Sequence, residues 1–455
     1  MRGLVIHPRG AAAAALAIAA AVALAGLLPA SDPIPGRSSA GAVAIVGATI
    51  HPVDGAPIEN GTIVFERGRI VALGRDVAVP VGAERIVATG KHVYPGLIAP
   101  CTELGLIEIE SVRATRDQTE VGEMNPNVRA EISINPDSEH IPVARANGIA
   151  LAVTRPSGGR ISGTSALIRL DGWTWEDLTI RAPLGIEVSW PYLAAGGRGR
   201  RGRGAPGTAE RAENERETIV ARVDEFFAAA EAYARARPAQ ESAAGDGDAP
   251  DLRMEALRPA ISGEIPVFIE AEDERQIRSA VEWALGRKLR PVIVGGRDAP
   301  EVAEYLADRK VPVIYGPIHR LPARRDEDVA APFAGPARLH AAGVKFAIGA
   351  FDTSNVRNLP YQAACAAANG LPKEEALRAI TLSAAEILGV ADRYGSLTAG
   401  KSATLIITDG DPLEIPTQVE AMWIDGARVD LSSRHTQLFE KYTERLKRAQ
   451  EAAKP

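Results

Sequence analysis

The sequence predicts an α/β protein: a long centre of repeated βα units around a parallel sheet, bracketed by two short-strand regions that can fold together into one small sheet. Three observations carry this. From Tyr94 onward, short apolar runs alternate with helical stretches. Before that point, strand-like pieces are separated by turn signals such as Val53-Asp54-Gly55 and Glu59-Asn60-Gly61. After the central region strand signals return, at 404–407 and 421–424. With 46% hydrophobic and 24% charged residues, the composition is that of an ordinary globular protein.

Along the chain, residues 1–30 come first. Arg2 and Arg9 precede an uncharged apolar run, Ala11 to Leu28, and Pro29-Ala30-Ser31 follows. Charged, apolar, then small is the pattern of an export signal, so the expected location is periplasmic or extracellular. The rival is membrane retention through the same segment, whose length is near the minimum for a span but whose composition is mostly alanine. A linker leads to residues 42–90, with strand-like pieces at 43–46, 61–65 and 69–73 forming one part of a β-sandwich. The central domain is expected over 91–394. Its strand candidates are 97–99, 149–153, 266–269, 291–294, 312–315 and 345–348. Ile219, Val223, Phe226, Phe227, Ala230 and Tyr233 recur at helical spacing, and 374–388 reads as another helix. Residues 395–430 supply the second sandwich part, and 431–455 a terminal helix carrying Leu438, Phe439, Tyr442 and Leu446.

Two segments stand apart. The Arg/Gly run 196–204 reads as an exposed insertion, with a grip on RNA or an acidic surface as the sharper alternative. Residues 240–251 read as a surface loop. The formal charge of −6 argues against general nucleic-acid binding. Only Cys101 and Cys365 occur, and an exported protein of this size does not need a disulfide; whether they pair is left open.

The stretch 90–98, Gly-Lys-His-Val-Tyr-Pro-Gly-Leu-Ile, resembles the entry into the first barrel strand of the amidohydrolase superfamily, in its imidazolonepropionase-like branch. Residues 60–74 resemble that family's N-terminal sandwich, 377–389 its last barrel helix, and 395–405 its C-terminal sandwich entry. The resemblance covers roughly residues 42–430 and implies a (β/α)₈ TIM barrel plus a composite β-sandwich, with the active site at the carboxyl ends of the strands. It also implies one or two divalent metals, zinc or manganese, that make hydroxide and polarise a carbonyl. The ligands would be a His-x-His pair on the first strand, histidines on the fifth and sixth, and an aspartate on the eighth.

Carried over residue by residue, the His-x-His positions hold Cys101 and Glu103, with Ala99 where an aspartate precedes the pair. The fifth-strand histidine becomes Glu270 and the sixth-strand one Gly295. The eighth-strand aspartate falls near Asp352, the expected catalytic group; Cys101, Glu103 and Glu270 are expected to line the pocket, and the carboxylated lysine that some members of the family add on the fourth strand is not assignable. None of the seven histidines forms a His-x-His or His-x-x-x-His pair, and of those in the central region only His140 and His319 fall in loop-like stretches. A cysteine and carboxylates favour harder ions such as Mg²⁺, Ca²⁺ or Mn²⁺ over zinc. Cys101 as a nucleophile would need an activating base that no histidine is placed to supply. Loops 135–142, 156–163 and 352–358 are candidates for the mouth, each equally readable as a turn or cap. Two functions follow: a hydrolase of C–N bonds in small amide or peptide-like compounds with an altered metal centre, or a catalytically inactive relative that binds a ligand or partner outside the cytoplasm.

Overall fold

The computed structural model describes residues 34–192, 208–237 and 249–452. The expected leader at 1–30, the Arg/Gly run at 196–204 and most of the 240–251 loop lie outside them. No described helix is long and apolar enough to cross a membrane.

The centre is an eight-stranded barrel sheet. In chain order its strands are β1 Leu97–Thr102, β2 Ile149–Thr154, β3 Ile161–Arg169, β4 Thr179–Ser189, β5 Val267–Ala271, β6 Pro291–Gly295, β7 Val313–Tyr315 and β8 Phe346–Ile348. Neighbours in the sheet are neighbours in sequence. All pairings are parallel except those of β3, which runs antiparallel to both β2 and β4. The β1–β8 seam is drawn together by Phe351 N, which donates to the Cys101 carbonyl (3.1 Å), and by Ile98 N, which donates to the Ile380 carbonyl (2.8 Å). Strands enclosed on both faces read as continuous apolar runs, and β1 and β2 are buried at every position. Each fully buried Ile, Leu or Val here contributes roughly 1.5–3 kcal/mol.

Six of the eight strands coincide with the apolar runs of the sequence. The other two, β3 and β4, carry too many polar residues to be read that way: Ser162, Gly163, Thr164 and Ser165 in one, Arg181, Pro183 and Glu187 in the other. The 156–163 stretch, expected as a loop, therefore ends inside β3. The expected 374–388 helix is two helices, Lys373–Ala379 and Leu382–Ile387. They part at Ile380 and Thr381, where the Ile380 carbonyl leaves helical pairing to receive Ile98 N and the Thr381 hydroxyl donates to the Leu377 carbonyl.

The second sheet takes strands from both ends of the chain, in the order Arg37–Ser38, Ala427–Arg428, Val419–Ile424, Leu405–Thr408, His92–Pro95, Val43–Ile50, Ile58–Glu66, Arg69–Gly74, with Glu84–Val87 also paired to Val43–Ile50. Its core includes Ile45, Ile63, Phe65, Leu405 and Trp423, with Phe65 edge-on to Trp423 at 5.9 Å. The chain passes from this sheet into β1 through Gly96, where a side chain would collide with Ala150 and Thr404. The terminal helix, Arg434–Ala452, buries no residue; Leu438, Phe439, Tyr442 and Leu446 are all exposed.

Candidate active site

Two threonines lock the carboxyl ends of β1 and β2 side by side. Thr102 Oγ1 donates to the Val153 carbonyl (2.8 Å) and Thr154 Oγ1 to the Leu104 carbonyl (2.9 Å). The next residue, Arg155, donates its backbone N–H to the Thr102 carbonyl (3.1 Å). Its side chain is thereby turned into the barrel mouth, where only 12% of it stays accessible.

The guanidinium gathers side chains from three strands. Nη1 lies 3.3 Å from Cys101 Sγ on β1. Nη2 donates to Glu270 Oε2 on β5 at 2.9 Å. Nε lies 3.6 Å from Glu187 Oε2 on β4. Burial opposes the charge on Arg155, but these neighbours outweigh it and hold its pKa above the ordinary arginine value. Burial pushes the Glu187 carboxyl up to about 7 even though Arg155 pulls it down. Burial likewise pushes the Cys101 thiol up to about 11, again against Arg155. At neutral pH Cys101 is thus a thiol rather than a thiolate.

The sixth-strand position is closed in a different way. Gly295 has φ +88°, and a Cβ there would collide with Glu272 Oε1. Glu272 is held in that place by Arg297 N, which donates to its Oε2 at 3.1 Å. Burial raises its carboxyl above the usual range.

Of the four residues expected in the pocket from sequence, Cys101 and Glu270 come together on Arg155. Glu103 lies just past β1 in a turn that Leu106 N closes onto its carbonyl, and its carboxylate has no hydrogen bond or ion pair among the described residues. Asp352 receives Asn355 N (3.0 Å) on Oδ1 and Asn355 Nδ2 (2.9 Å) on Oδ2, so it organises the loop after β8. The residue before it, Phe351, has φ +54°, a left-handed conformation costing a bulky residue roughly 1–2 kcal/mol. His140 Nε2 meets the Glu108 carbonyl (2.9 Å), and His319 Nε2 meets Cys365 Sγ (3.2 Å). Both cysteines are free. Arg155 and Glu187, the centre of the cluster, are absent from the sequence expectation. The available signal was a lone arginine one residue past the apolar run 149–153 and directly before a proline.

Beside the cluster, a cleft of about 420 Å³ opens over the ends of β4 and β5, lined by Arg160, Ser189, Trp190, Glu270, Glu272 and Gln276, among others. Trp190 is fixed from behind: Gln276 Nε2 donates to its carbonyl (2.6 Å), its Nε1 donates to Ser279 Oγ (3.3 Å), and its ring packs on Trp283 at 4.8 Å. Both serine and glutamine belong to the helix Glu274–Gly286, which opens with a capping box at Asp273. About half of the Glu270 side chain, 47%, stays accessible.

A divalent metal does not fit this donor set. The thiol is protonated, Glu187 titrates near neutrality, the sixth-strand position has no side chain, and a guanidinium already stands among the donors. Among the described residues no group of three or more His, Cys, Asp or Glu is arranged to hold a metal ion.

Comparison with known proteins agrees with this architecture. Residues 292–430 match the amidohydrolase family. An amidohydrolase from Thermotoga maritima MSB8 superposes with a TM-score of 0.75 at 24% identity, covering 85% of this chain and 99% of that one. A prolidase complexed with N-methylphosphonate-L-proline superposes with a TM-score of 0.50 at 17% identity, over 86% of this chain and 99% of that one. The amidohydrolase tasK of Hapsidospora irregularis is 23% identical over 426 residues, which is 87% of this chain but 42% of that longer protein. The chain therefore shares its fold, a TIM barrel with a β-sandwich, with that amidohydrolase, and its similarity to the amidohydrolase family lies in residues 292–430.

Proposed function

We propose that the chain is an amidohydrolase-family hydrolase of C–N bonds in cyclic amides or peptide-like compounds, working from a mouth no longer built on imidazole-bound metal. The family match over 292–430 supports the reaction class. The names of similar proteins, an amidohydrolase and a prolidase with a proline-containing ligand, support the substrate class. One observation carries the reading at this site: Glu270, ion-paired to Arg155, keeps about half of its side chain accessible in a cleft at the strand ends. In that position the carboxylate can take a proton from an attacking water. Arg155 cannot shuttle protons; it orients Glu270 and offers fixed positive charge. Arg160, Ser189 and Gln276 supply polar groups for an amide.

A second reading, a ligand-binding relative without turnover, is favoured by the internal pairing of the mouth: Arg155 is shared by Cys101, Glu187 and Glu270, and Glu272 fills the space beside Gly295. The test is a panel of cyclic amides and dipeptides, with and without added Zn²⁺ or Mn²⁺, on the full chain and Glu270→Gln. Turnover lost in Glu270→Gln with the fold intact supports the hydrolase. Saturable binding of a panel compound without turnover supports the second reading and overturns the first.

A further inference from the structure

We infer that Arg160 is the anion anchor of the cleft at the strand ends: it takes a free carboxylate on the ligand, so the compounds this mouth accepts are acidic amides, such as N-acyl amino acids, peptides with a free carboxyl end and lactam acids, rather than neutral ones. The inference rests on the reading that this cleft holds the amide, and it names the other end of the same ligand.

The reversal of β3 puts Arg160 there. β2 and β4 run toward the mouth, and β3, antiparallel to both, starts at it. The connection from β2 to β3 is therefore a hairpin at the rim, with Arg155 at one end and Arg160 at the other. Its backbone is pressed against an earlier loop. Gly158 (φ +91°) and Gly159 (φ +66°) take left-handed conformations, and a Cβ on Gly159 would collide with the carbonyls of Gly122 and Glu123. Arg160 is pinned from two sides: its N–H donates to the Glu123 carbonyl (2.7 Å), and its carbonyl accepts from Ser189 N (2.9 Å). A ligand therefore meets a backbone that is already ordered.

The two arginines of the hairpin differ in their partners. Arg155 is shared by Cys101, Glu187 and Glu270. The half-buried Arg160 has no hydrogen bond or ion pair to its guanidinium among the described residues. The buried-side carboxylates of the cleft are committed elsewhere: Glu270 lies on Arg155, and Glu272 accepts from Arg297 N. Arg216, the other arginine of the lining, is held by Glu213 at 2.9 Å. An open guanidinium fork in a partly desolvated cleft matches a carboxylate with two parallel hydrogen bonds.

Ser189 relates this arginine to the proposed base. It donates to the Arg160 carbonyl on one side and is the register partner of Glu270 on the other. Arg160 and Glu270 thus flank one strand end, two strand spacings or roughly 10 Å apart at the backbone, and both line the cleft. A compact ligand can hold its carboxylate on the first while its amide lies at the second.

The experiment is equilibrium binding to the full chain by isothermal titration calorimetry. The probes are N-acetyl-L-leucine and L-pyroglutamate, each with its primary amide, so that within a pair only the carboxylate changes. The wild type is expected to bind each acid about tenfold or more tightly than its amide, the worth of one charge-assisted contact. The preference should shrink as salt is raised. In Arg160→Gln it should fall to near parity. Arg160→Lys should keep part of it, because the charge remains and the fork is lost. Arg160→Met, which keeps the apolar stem, gives the same measurement if the glutamine variant does not fold. A preference that survives in a folded Arg160→Gln or Arg160→Met would overturn the inference. So would a wild type that binds the amides as tightly as the acids, one that binds inorganic phosphate as tightly as the acids, or one that shows no saturable binding of either acid at millimolar concentration. The hydrolase reading fails separately. Acids bound with an Arg160-dependent preference but never turned over would keep the anchor and remove the reaction, whereas turnover of neutral amides that Arg160→Gln does not change would keep the reaction and remove the anchor.

Discussion

Glu272 occupies the space that a side chain at Gly295 would need, with Arg297 N holding its carboxylate in place. Any side chain at 295 must adopt φ near +88° and displace a carboxylate from its hydrogen bond. Gly295→Ala is expected to destabilise the fold by roughly 2–4 kcal/mol, from left-handed strain plus the displaced group. Gly295→His should be worse, because its side chain is larger. Urea unfolding of both variants measures this, and a Gly295→Ala midpoint equal to wild type would contradict it.

Arg155 and Glu187 have side chains only 12% and 5% exposed. Replacing Arg155 by methionine leaves Glu187 without its counter-charge, and breaking a buried pair from one side costs about 3–5 kcal/mol. The Glu187 carboxyl already lies near 7 because of burial, above the 4.5 of an unburied glutamate. A raised folded-state pKa gives stability that is present below 4.5 and lost as pH rises through about 7. The penalty of Arg155→Met should therefore be smaller at pH 5 than at pH 8, as unfolding at the two pH values would show. An equal penalty at both would rule out Glu187 as the group responsible.

The two thiols should differ sharply in reactivity. Cys101 is buried and its pKa is pushed to about 11, leaving roughly one part in a thousand as thiolate at pH 8. Cys365 is only half-buried, beside His319. Iodoacetamide is expected to label Cys365 first in the native protein and Cys101 only after denaturation. Peptide mapping reads the order.

His51 Nε2 meets His92 Nδ1 at 3.0 Å, and the His51 ring stacks on Tyr94 at 4.2 Å. Burial first, and His92 second, lower its pKa to about 4, against the pull of Asp411. With the folded-state value below the ordinary 6.5, this histidine contributes stability above pH 6.5 that is lost as pH falls toward 4. His51→Gln should flatten that part of the stability profile. An unchanged acid limb would remove His51 from the explanation.

The fold was legible where burial and polarity agree. Leu97, Ile149 and Val267 begin strands, and Val292 is second in one, whose buried apolar residues make the sequence signal clear. It failed at β3 and β4, whose serines, threonines, proline and glutamate sit inside the barrel sheet. The mouth was half legible. Cys101 and Glu270 are at the ends of readable strands, but Arg155 is a single charge whose partners lie 54 and 115 residues away. Nothing local announces that such a residue is buried, and Glu187 was hidden with the strand that carries it. Asp352 was placed in the correct loop, but its bonds to Asn355 exist only in three dimensions.

The composite sheet has a consequence for synthesis. His92–Pro95 pairs with Leu405–Thr408, so its partner leaves the ribosome roughly 300 residues later. Until then the apolar faces around Val93 and Ile45 have no cover from the far end of the chain. The native sheet therefore cannot close until residues 405–428 have been made, and through that interval the early strands carry unpaired edges and uncovered apolar surface.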